Sequence, residues 1–336
     1  MKRALPICGI LLSLLLLTSC KENGNQTNAK EGGTKKIVIV TPLSHPSLDQ
    51  SIDGFRQGLA EKDYTEANVE FIFMNASGDL GKIAFLVKSA IARKPSLIFV
   101  LTTPAAAESI KLTNPAGIPM VYTAVTDPVE AKIVTSMEKS ETLATGVSDR
   151  YPVKEQVNMF MRILPTMKTA GLIYNPAEAN SRILVKQTIS ALEENNIQAL
   201  RYEVHYASEI SSRVKQAILL NDCIIVNGDN LVTENLAEVI NLCIQSKKPL
   251  FVGDPDSVRR GAIATVGPSY FAIGRQTGIK AAQILDGKDP RNIPSEYPRS
   301  FDYIINTKAA EAMGVKIPED FWFSRQIWES RISSSK

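Results

Sequence analysis

Small hydrogen-bonding side chains occur in clusters along the chain, and each cluster directly follows a short apolar run. The clusters lie at residues 41–46, 102–104, 123–128, 175–181, 227–230 and 253–257. In a parallel sheet covered by helices, ligands bind beyond the carboxyl ends of the strands. Hydroxyl, amide and carboxylate groups gathered at that edge can orient a small polar molecule. The pattern therefore favours the binding of a small solute.

The clusters offer partners for both an anionic and a cationic group. Thr103 and Ser181 lie near predicted helix starts, where unpaired backbone N–H groups and the helix dipole favour a carboxylate. Asp229 and Asp254 are candidate acceptors for an ammonium group. The other candidate binding residues supply amides, apolar walls or a loop imidazole, and they are Asn175, Asn180, Asn227, Pro104, Ala124 and His45.

Each candidate also has a structural interpretation that the sequence leaves open. Asp254 and Thr103 both precede a proline, and this pattern is typical of a residue that caps a helix. The remaining ambiguous positions are Asn180 and Ser181 as helix caps, Asp229 as a turn residue and His45 as a loop residue.

Short β-branched runs alternate with amphipathic segments, which predicts an α/β fold. We expect strands at 36–40, 69–74, 97–101, 118–122, 145–148, 170–174, 198–204, 223–226, 250–252 and 263–266. Strands that are separated by helices form right-handed units and mostly parallel sheets. Ten strands are more than one sheet of this kind usually contains. They divide near residue 148 into two similar halves.

Composition and motifs argue against catalysis and against nucleic-acid binding. The net charge is only +3 in 336 residues, and the chain has two histidines. It contains no GxSxG, GxxxxGK[ST] or GxGxxG motif and no CxxC pair. We therefore expect no enzyme activity, no cofactor, no metal ion and no nucleic-acid partner. Cys223 and Cys243 fit small buried side chains, and a disulfide between them stays open.

The N-terminal residues have the pattern of a secretion signal. Lys2 and Arg3 precede a short apolar run at 7–17, and Leu17-Thr18-Ser19-Cys20 resembles a bacterial lipobox. This resemblance implies a signal peptide at 1–19 and a lipid on the Cys20 thiol, with residues 20–35 as a flexible tether. The protein is then extracytoplasmic and anchored to the bacterial membrane.

Several stretches resemble the ABC-transporter substrate-binding family whose better-known members bind tryptophan, tyrosine or phenylalanine. Among them are His45-Pro46-Ser47-Leu48-Asp49, Tyr122-Thr123-Ala124-Val125-Thr126-Asp127-Pro128-Val129 and Gly253-Asp254-Pro255-Asp256-Ser257-Val258. The resemblance covers about residues 36–320. It implies a type I periplasmic-binding-protein fold, with two Rossmann-like lobes joined by three crossovers near 147, 268 and 296. The lobes would comprise 36–147 plus 269–295 and 148–268 plus 296–330.

The resemblance also implies a function. It indicates a monomeric lipoprotein that captures a small solute, an aromatic amino acid above all, and delivers it to the permease subunits of an ABC importer. Two alternatives stay open: a solute-sensing lipoprotein that signals to a partner, and a ligand that is not an amino acid.

Overall fold

A computed structural model describes Met1, residues 33–319 and residues 327–329. Apart from Met1, the predicted signal peptide lies outside these residues, as do the Cys20 lipidation site and most of the predicted tether. Within them, two groups of parallel strands are each covered by helices, and this arrangement confirms the predicted α/β fold with two lobes.

The first parallel sheet begins at the β-branched run near residue 36, where such side chains favour extended backbone. Its strands are β1 Lys35–Thr41, β2 Val69–Asn75, β3 Leu97–Leu101, β4 Met120–Val125 and β5 Ala144–Ser148. They lie in the order β2-β1-β3-β4-β5. Three helices between these strands are α1 Pro46–Ala60, α2 Ile83–Ala92 and α3 Thr103–Thr113.

The second parallel sheet repeats this pattern in the middle of the chain. Its strands are β6 Thr169–Tyr174, β7 Gln198–Glu203, β8 Cys223–Val226 and β9 Leu250–Val252. They lie in the order β7-β6-β8-β9. The accompanying helices are α4 Val153–Ile163, α5 Ala179–Glu193, α6 Ile210–Leu220, α7 Asn230–Glu234, α8 Leu236–Gln245 and α9 Pro255–Arg260.

The last part of the chain connects the two sheets. It contains β10 Ala264–Pro268, α10 Tyr270–Leu285, β11 Phe301–Ile305, α11 Thr307–Ala312 and β12 Ile327–Glu329. Strand β11 runs antiparallel to β10. Helix α10 returns to pack on α1, β4 and β5. The later segment meets the end of β5, because Val147 pairs with Glu296 and the Ser148 N–H donates to the Glu296 carbonyl at 2.9 Å.

Alternate residues of β1 face opposite sides of the first sheet, and both sides are buried. Ile37 and Ile39 join the apolar cluster under α1 and α10, whereas Val38 and Val40 join the cluster under α2 and α3. This two-sided burial explains why the strand sequences are apolar without alternation. A third apolar cluster fills the second half of the molecule.

Helices α1 and α10 pack unusually closely through four glycines. A Cβ atom added at Gly54 or Gly58 would fall well within 3.0 Å of a backbone oxygen of α10, and one added at Gly274 or Gly278 would do the same toward α1. Each pair is spaced by four residues, so both glycines lie on one helical face. The absence of side chains here lets the two backbones touch.

The predicted strands all occur, with ends that differ by three residues at most. Cys223 and Cys243 are buried free thiols, as expected for small core side chains. No strand was predicted at 301–305 or at 327–329, where the structure has β11 and β12. Within residues 33–319 and 327–329, no helix is long and apolar enough to cross a membrane.

Candidate functional site

A cavity lies where the carboxyl ends of the two parallel sheets face each other. Its empty space is about 570 Å³, including the opening to solvent. The first sheet contributes the residues that follow β1, β3, β4 and β5, and the second contributes the start of α5 and the residues after β8 and β9. Six of the predicted binding residues line it, namely His45, Thr103, Ala124, Asn180, Asp229 and Asp254.

Four other predicted residues lie close by but are not among those that line the cavity. The Asn175 N–H and the Ser181 hydroxyl both donate to the Asp229 carboxylate. The Asn227 side-chain amide donates to Gln156 and to Thr188, both at 3.1 Å. Pro104 is the second residue of α3. Direct ligand contact by these four residues stays a prediction.

The N-terminus of α3 opens on the cavity without a side-chain cap. Thr102 occupies the cap position, so the alternative interpretation of Thr103 as a helix cap was wrong. The Thr103 hydroxyl instead accepts a hydrogen bond from the Thr126 N–H at 3.2 Å. The Thr102 hydroxyl makes no cap bond and is buried without a partner. Unpaired donors at a helix start attract anions, because the dipole is positive there.

Two cavity residues adopt backbone conformations that favour glycine. Thr102 has φ 77° and ψ 152°, and Ala124 has φ 54°. Each such conformation costs of the order of 1–3 kcal/mol and persists when surrounding contacts impose it. At Thr102 those contacts are its N–H to the Thr123 carbonyl at 3.1 Å and its carbonyl to the Ala106 N–H at 3.0 Å. Residues held in such conformations cluster at ligand-binding sites, so the two residues support a site at this edge.

Asp149 lines the cavity and has one carboxylate oxygen without a hydrogen-bond partner. It follows β5 directly and is only 6% exposed. Its Oδ2 accepts from the Tyr270 hydroxyl at 3.2 Å, whereas its Oδ1 is buried without a partner. Burial raises the pKa of Asp149 to about 6, even though the Tyr270 and Thr126 hydroxyls and the Asp149 N–H oppose the change. A carboxylate in this state gains from a cationic partner.

Asp229, by contrast, already has several donors within the protein. It caps α7 by accepting from the Val232 N–H at 2.8 Å, and it also holds Asn175 and Ser181. Burial, and next the neighbouring Glu178 carboxylate, raise the pKa of Asp229. Its hydrogen bonds tie the turn after β6 to the turn after β8.

Asp254 is the predicted helix cap. Its Oδ1 accepts from the Ser257 N–H at 2.9 Å, and its Oδ2 accepts from the Ser257 hydroxyl at 2.5 Å. The Ser47 hydroxyl lies 3.5 Å from Oδ1, so Asp254 also touches the start of α1 across the cavity. Both of its oxygens are therefore occupied by the protein itself.

His45 bridges the two halves at the edge of the cavity. Its Nδ1 accepts from the Ser47 N–H at 3.2 Å and thereby caps α1. Its Nε2 lies 3.0 Å from an Arg260 nitrogen and 4.0 Å from an Asp256 oxygen, both on α9. Arg260 also donates to the Thr233 carbonyl at 2.9 Å. These contacts close the cavity on one side.

Twelve of the residues that line the cavity were not among the predicted ligand contacts, and the four that bear most on the ligand are Thr102, Asp149, Tyr151 and Tyr270. Asp149 follows β5 just as the predicted residues follow their strands, so the same rule applied there would have found it. Tyr270 reaches the site only because α10 returns to the first sheet. Within the described residues, no group of three or more His, Cys, Asp and Glu side chains is arranged to hold a metal ion.

Comparison with known proteins identifies one family. Residues 36–325 match the family described as "ABC transporter substrate binding protein". A curated relative, the tyrosine-binding protein of Clostridioides difficile (strain R20291), is 29% identical over 320 residues, which cover 93% of this chain and 92% of the relative.

Two solved structures share both fold and sequence with the chain. A Streptococcus pneumoniae ABC domain in complex with L-Trp is 31% identical, with a TM-score of 0.84. The ligand-free, open structure of a Clostridium difficile substrate-binding protein with adhesive properties is 28% identical, with a TM-score of 0.68. In both cases 88% of this chain and 99% of the other chain are covered.

Proposed function

Because the chain belongs to the ABC transporter substrate-binding protein family, we propose that it captures an aromatic amino acid between its lobes and delivers it to the permease subunits of an importer. The family and the neighbouring structures are solute-binding proteins and not enzymes. Members of the family are extracytoplasmic. The chain therefore acts by binding a solute, and the residues of the site determine which solute binds.

The observation that carries the proposal is that one cavity contains partners for both charges of an amino acid. The uncapped start of α3 suits the carboxylate, and the unpartnered oxygen of Asp149 suits the ammonium group. These groups follow β3 and β5, and those two strands are about 10 Å apart because β4 lies between them. The carboxylate and the ammonium group of an amino acid would each make one hydrogen bond of about 2.9 Å. These two bonds, with the α-carbon between the groups, span most of that distance.

The closed arrangement of the lobes supports capture between them. Contacts from His45 to Arg260 and from Ser47 to Asp254 join the edges of the two sheets. The two compared structures have nearly equal identity to this chain, yet the one with bound L-Trp matches its shape better than the open one. A ligand that touches both lobes stabilises the closed state. We take the lobes to be 36–147 with 269–295 and 148–268 with 296–330.

An aromatic side chain is favoured by the relatives and by the walls of the cavity. One relative is named for tyrosine binding and one structure contains L-Trp. Leu43, Leu48 and Ala124 give the cavity apolar surface, and the rings of Tyr151 and Tyr270 add more. Burial of an aromatic ring on such surface supplies much of the binding free energy.

We expect one or more aromatic amino acids to raise the thermal stability of the purified protein produced without its first 20 residues. Binding at a ligand concentration of 100 Kd adds about 2.7 kcal/mol to the free energy of unfolding. A thermal-shift screen of the twenty amino acids, nucleosides and sugars would measure this. The D-enantiomer of each active amino acid is the matched control. Stabilisation by sugars or nucleosides alone would contradict the proposal.

We also propose that a lipid on Cys20 anchors the protein to the membrane. In the full chain expressed in a bacterium, we expect the protein to partition into the detergent phase of a Triton X-114 extract. Cys20→Ser should move it to the aqueous phase, because the two acyl chains are lost. Cys223→Ser is the control with an equal change in a buried thiol. Equal partitioning of the Cys20→Ser variant and the native chain would exclude the anchor.

A further inference from the structure

Asp149 belongs to a chain of three hydrogen-bonding groups in the wall of the cavity. Its Oδ2 accepts from the Tyr270 hydroxyl at 3.2 Å, and the hydroxyls of Tyr270 and Tyr151 lie 2.9 Å apart. All three side chains are buried and all three line the cavity. Burial raises the pKa of Tyr151 and of Tyr270 well above the usual range, so both hydroxyls keep their hydrogens.

The direction of these hydrogen bonds follows from counting hydrogens. An ionised carboxylate only accepts, and each hydroxyl has one hydrogen to donate. The Tyr270 hydrogen must then point to Asp149, and the Tyr151 hydrogen must point to Tyr270. Free lone pairs remain on Asp149 Oδ1 and on the Tyr151 oxygen. A ligand group that meets this wall has to donate hydrogen bonds.

The position of Tyr151 is built into the second lobe. Its ring lies against Gly228 and Gly253, where an added Cβ would fall 3.2 Å and 2.5 Å from the ring. Both glycines follow strands of the second sheet, so the missing side chains make room for the ring. Tyr270, for its part, is held by its carbonyl, which accepts from the Ser51 hydroxyl at 3.2 Å.

The charges of the cavity agree with this polarity. Its lining includes the carboxylates of Asp149, Asp229, Asp254 and Glu234, and among these described lining residues there is no lysine or arginine. Asp229 and Asp254 are neutralised in part by helix N–H groups. Arg150, the residue next to Asp149, lies over the exposed ring of Tyr297 at 5.4 Å and is not among the lining residues. A ligand carboxylate therefore finds dipoles and hydroxyls, but no cation.

We propose that Tyr270 and Tyr151 orient Asp149 as an acceptor for a protonated primary amine, so that the site requires the amine of its ligand more than the carboxylate. This inference rests on the proposed function and deepens it. Its consequence is a wider ligand class: aromatic amines that lack the α-carboxylate bind, whereas aromatic acids that lack the amine do not. Tyr270 acts as a positioning residue for Asp149.

Three ligands that share one ring test the proposal on the native protein. Calorimetric titration at pH 8 would compare L-tryptophan, tryptamine and indole-3-propionate. We expect indole-3-propionate to bind at least about 30-fold more weakly than tryptamine, because it leaves a buried carboxylate unpaired. If the thermal-shift screen selects tyrosine, the same test uses L-tyrosine, tyramine and 4-hydroxyphenylpropionate.

The dependence on pH tests the role of Asp149 in the same protein. Tyr151, Tyr270 and Asp254 are the titratable groups that face it. Tryptamine affinity should fall about tenfold from pH 7 to pH 5, because the carboxylate is protonated below about pH 6. Tyr270→Phe should move the midpoint of this fall to higher pH, since it removes a hydrogen bond that favours the ionised form. Tyr151→Phe, one bond farther away, should weaken binding without moving the midpoint.

The outcomes separate the two proposals. If L-tryptophan binds but indole-3-propionate binds as tightly as tryptamine, the requirement for the amine is wrong and the proposed function stands. If the midpoint is the same in the native protein and in Tyr270→Phe, the positioning role of Tyr270 is wrong. If neither aromatic amino acid nor either amine binds, the proposed function fails and this inference fails with it.

Discussion

Asp149→Asn should weaken binding of the aromatic amino acid by about 10- to 150-fold at pH 8. The variant keeps the shape of the side chain but removes the charge that faces the ligand ammonium group. A hydrogen bond to a charged group contributes roughly 1.5–3 kcal/mol, which corresponds to this range of affinity. Calorimetric titration of the native protein and the variant measures it. Unchanged affinity would remove Asp149 from the binding site.

The same variant should make the ligand-free protein more stable at pH 8. The pKa of Asp149 is 3.8 as an ordinary carboxyl and about 6 in the fold, so the folded protein holds more protons between these values. Its free energy of unfolding therefore falls as pH rises from about 4 to about 6, by roughly 3 kcal/mol at most. The asparagine side chain does not ionise, so the free energy of unfolding of the variant lacks this fall.

We expect the melting temperature of Asp149→Asn without ligand to exceed that of the native protein by about 2 °C or more at pH 8. The difference should disappear near pH 4, where both side chains are neutral. A variant that binds less and melts higher is the signature of a strained binding residue. A lower melting temperature at both pH values would instead indicate a structural role.

Asp254→Asn is the informative comparison, because the sequence favours Asp254 and Asp229 as the ammonium acceptors. In the fold, Asp254 already caps α9 with one oxygen and accepts from the Ser257 hydroxyl with the other. We expect Asp254→Asn to leave stability nearly unchanged, because asparagine caps a helix about as well as aspartate does, with a smaller loss of affinity than Asp149→Asn.

This contrast shows what a sequence can reveal of such a site. The rule that ligands bind at strand ends placed Asp254, Asp229 and Thr103 at the cavity, because it needs only the order of strands and polar residues. It could not tell which carboxylate has free oxygens. That depends on hydrogen bonds from residues far along the chain, such as the one from Tyr270 to Asp149.

More of the fold than of the binding site could be predicted from the sequence, for a related reason. Strands such as β3 and β8 are uninterrupted apolar runs, and their burial is a local property of composition. Strand β11 was missed because its sequence, Phe301–Ile305, is exposed at one end and pairs antiparallel with β10. Thr102 in its strained conformation had no signal either, since a threonine there is held by contacts with other strands.

Gly274→Ala should lower the free energy of unfolding by about 1–3 kcal/mol. The added methyl group would overlap the backbone oxygen of Ser51 on α1, and backbone cannot move aside as a flexible side chain can. Overpacking of this kind costs about 1–3 kcal/mol and occasionally more. Chemical denaturation monitored by circular dichroism measures the change.

The direction of the stability change distinguishes close backbone contact from the effect of helix propensity. Alanine is the better helix former by about 0.8–1.0 kcal/mol, so the same substitution in a helix without the close contact would raise stability. Gly33→Ala, which lies outside the helices, should leave stability nearly unchanged, because an added Cβ meets nothing within 4 Å there. Unchanged or raised stability of Gly274→Ala would mean that α1 and α10 are not in backbone contact.

Ligand affinity should fall together with stability in Gly274→Ala, because the two helices place both sides of the cavity wall. Helix α10 begins at Tyr270 and α1 carries Ser47 in its first turn, and the Ser51 hydroxyl links the two through the carbonyls of Tyr270 and Ser47, at 3.2 Å each. If the helices move apart, the Tyr270 hydroxyl moves away from Asp149. In the Gly274→Ala variant, the further substitution Gly54→Ala should reduce affinity less than it does in the native protein, since α1 and α10 are already farther apart.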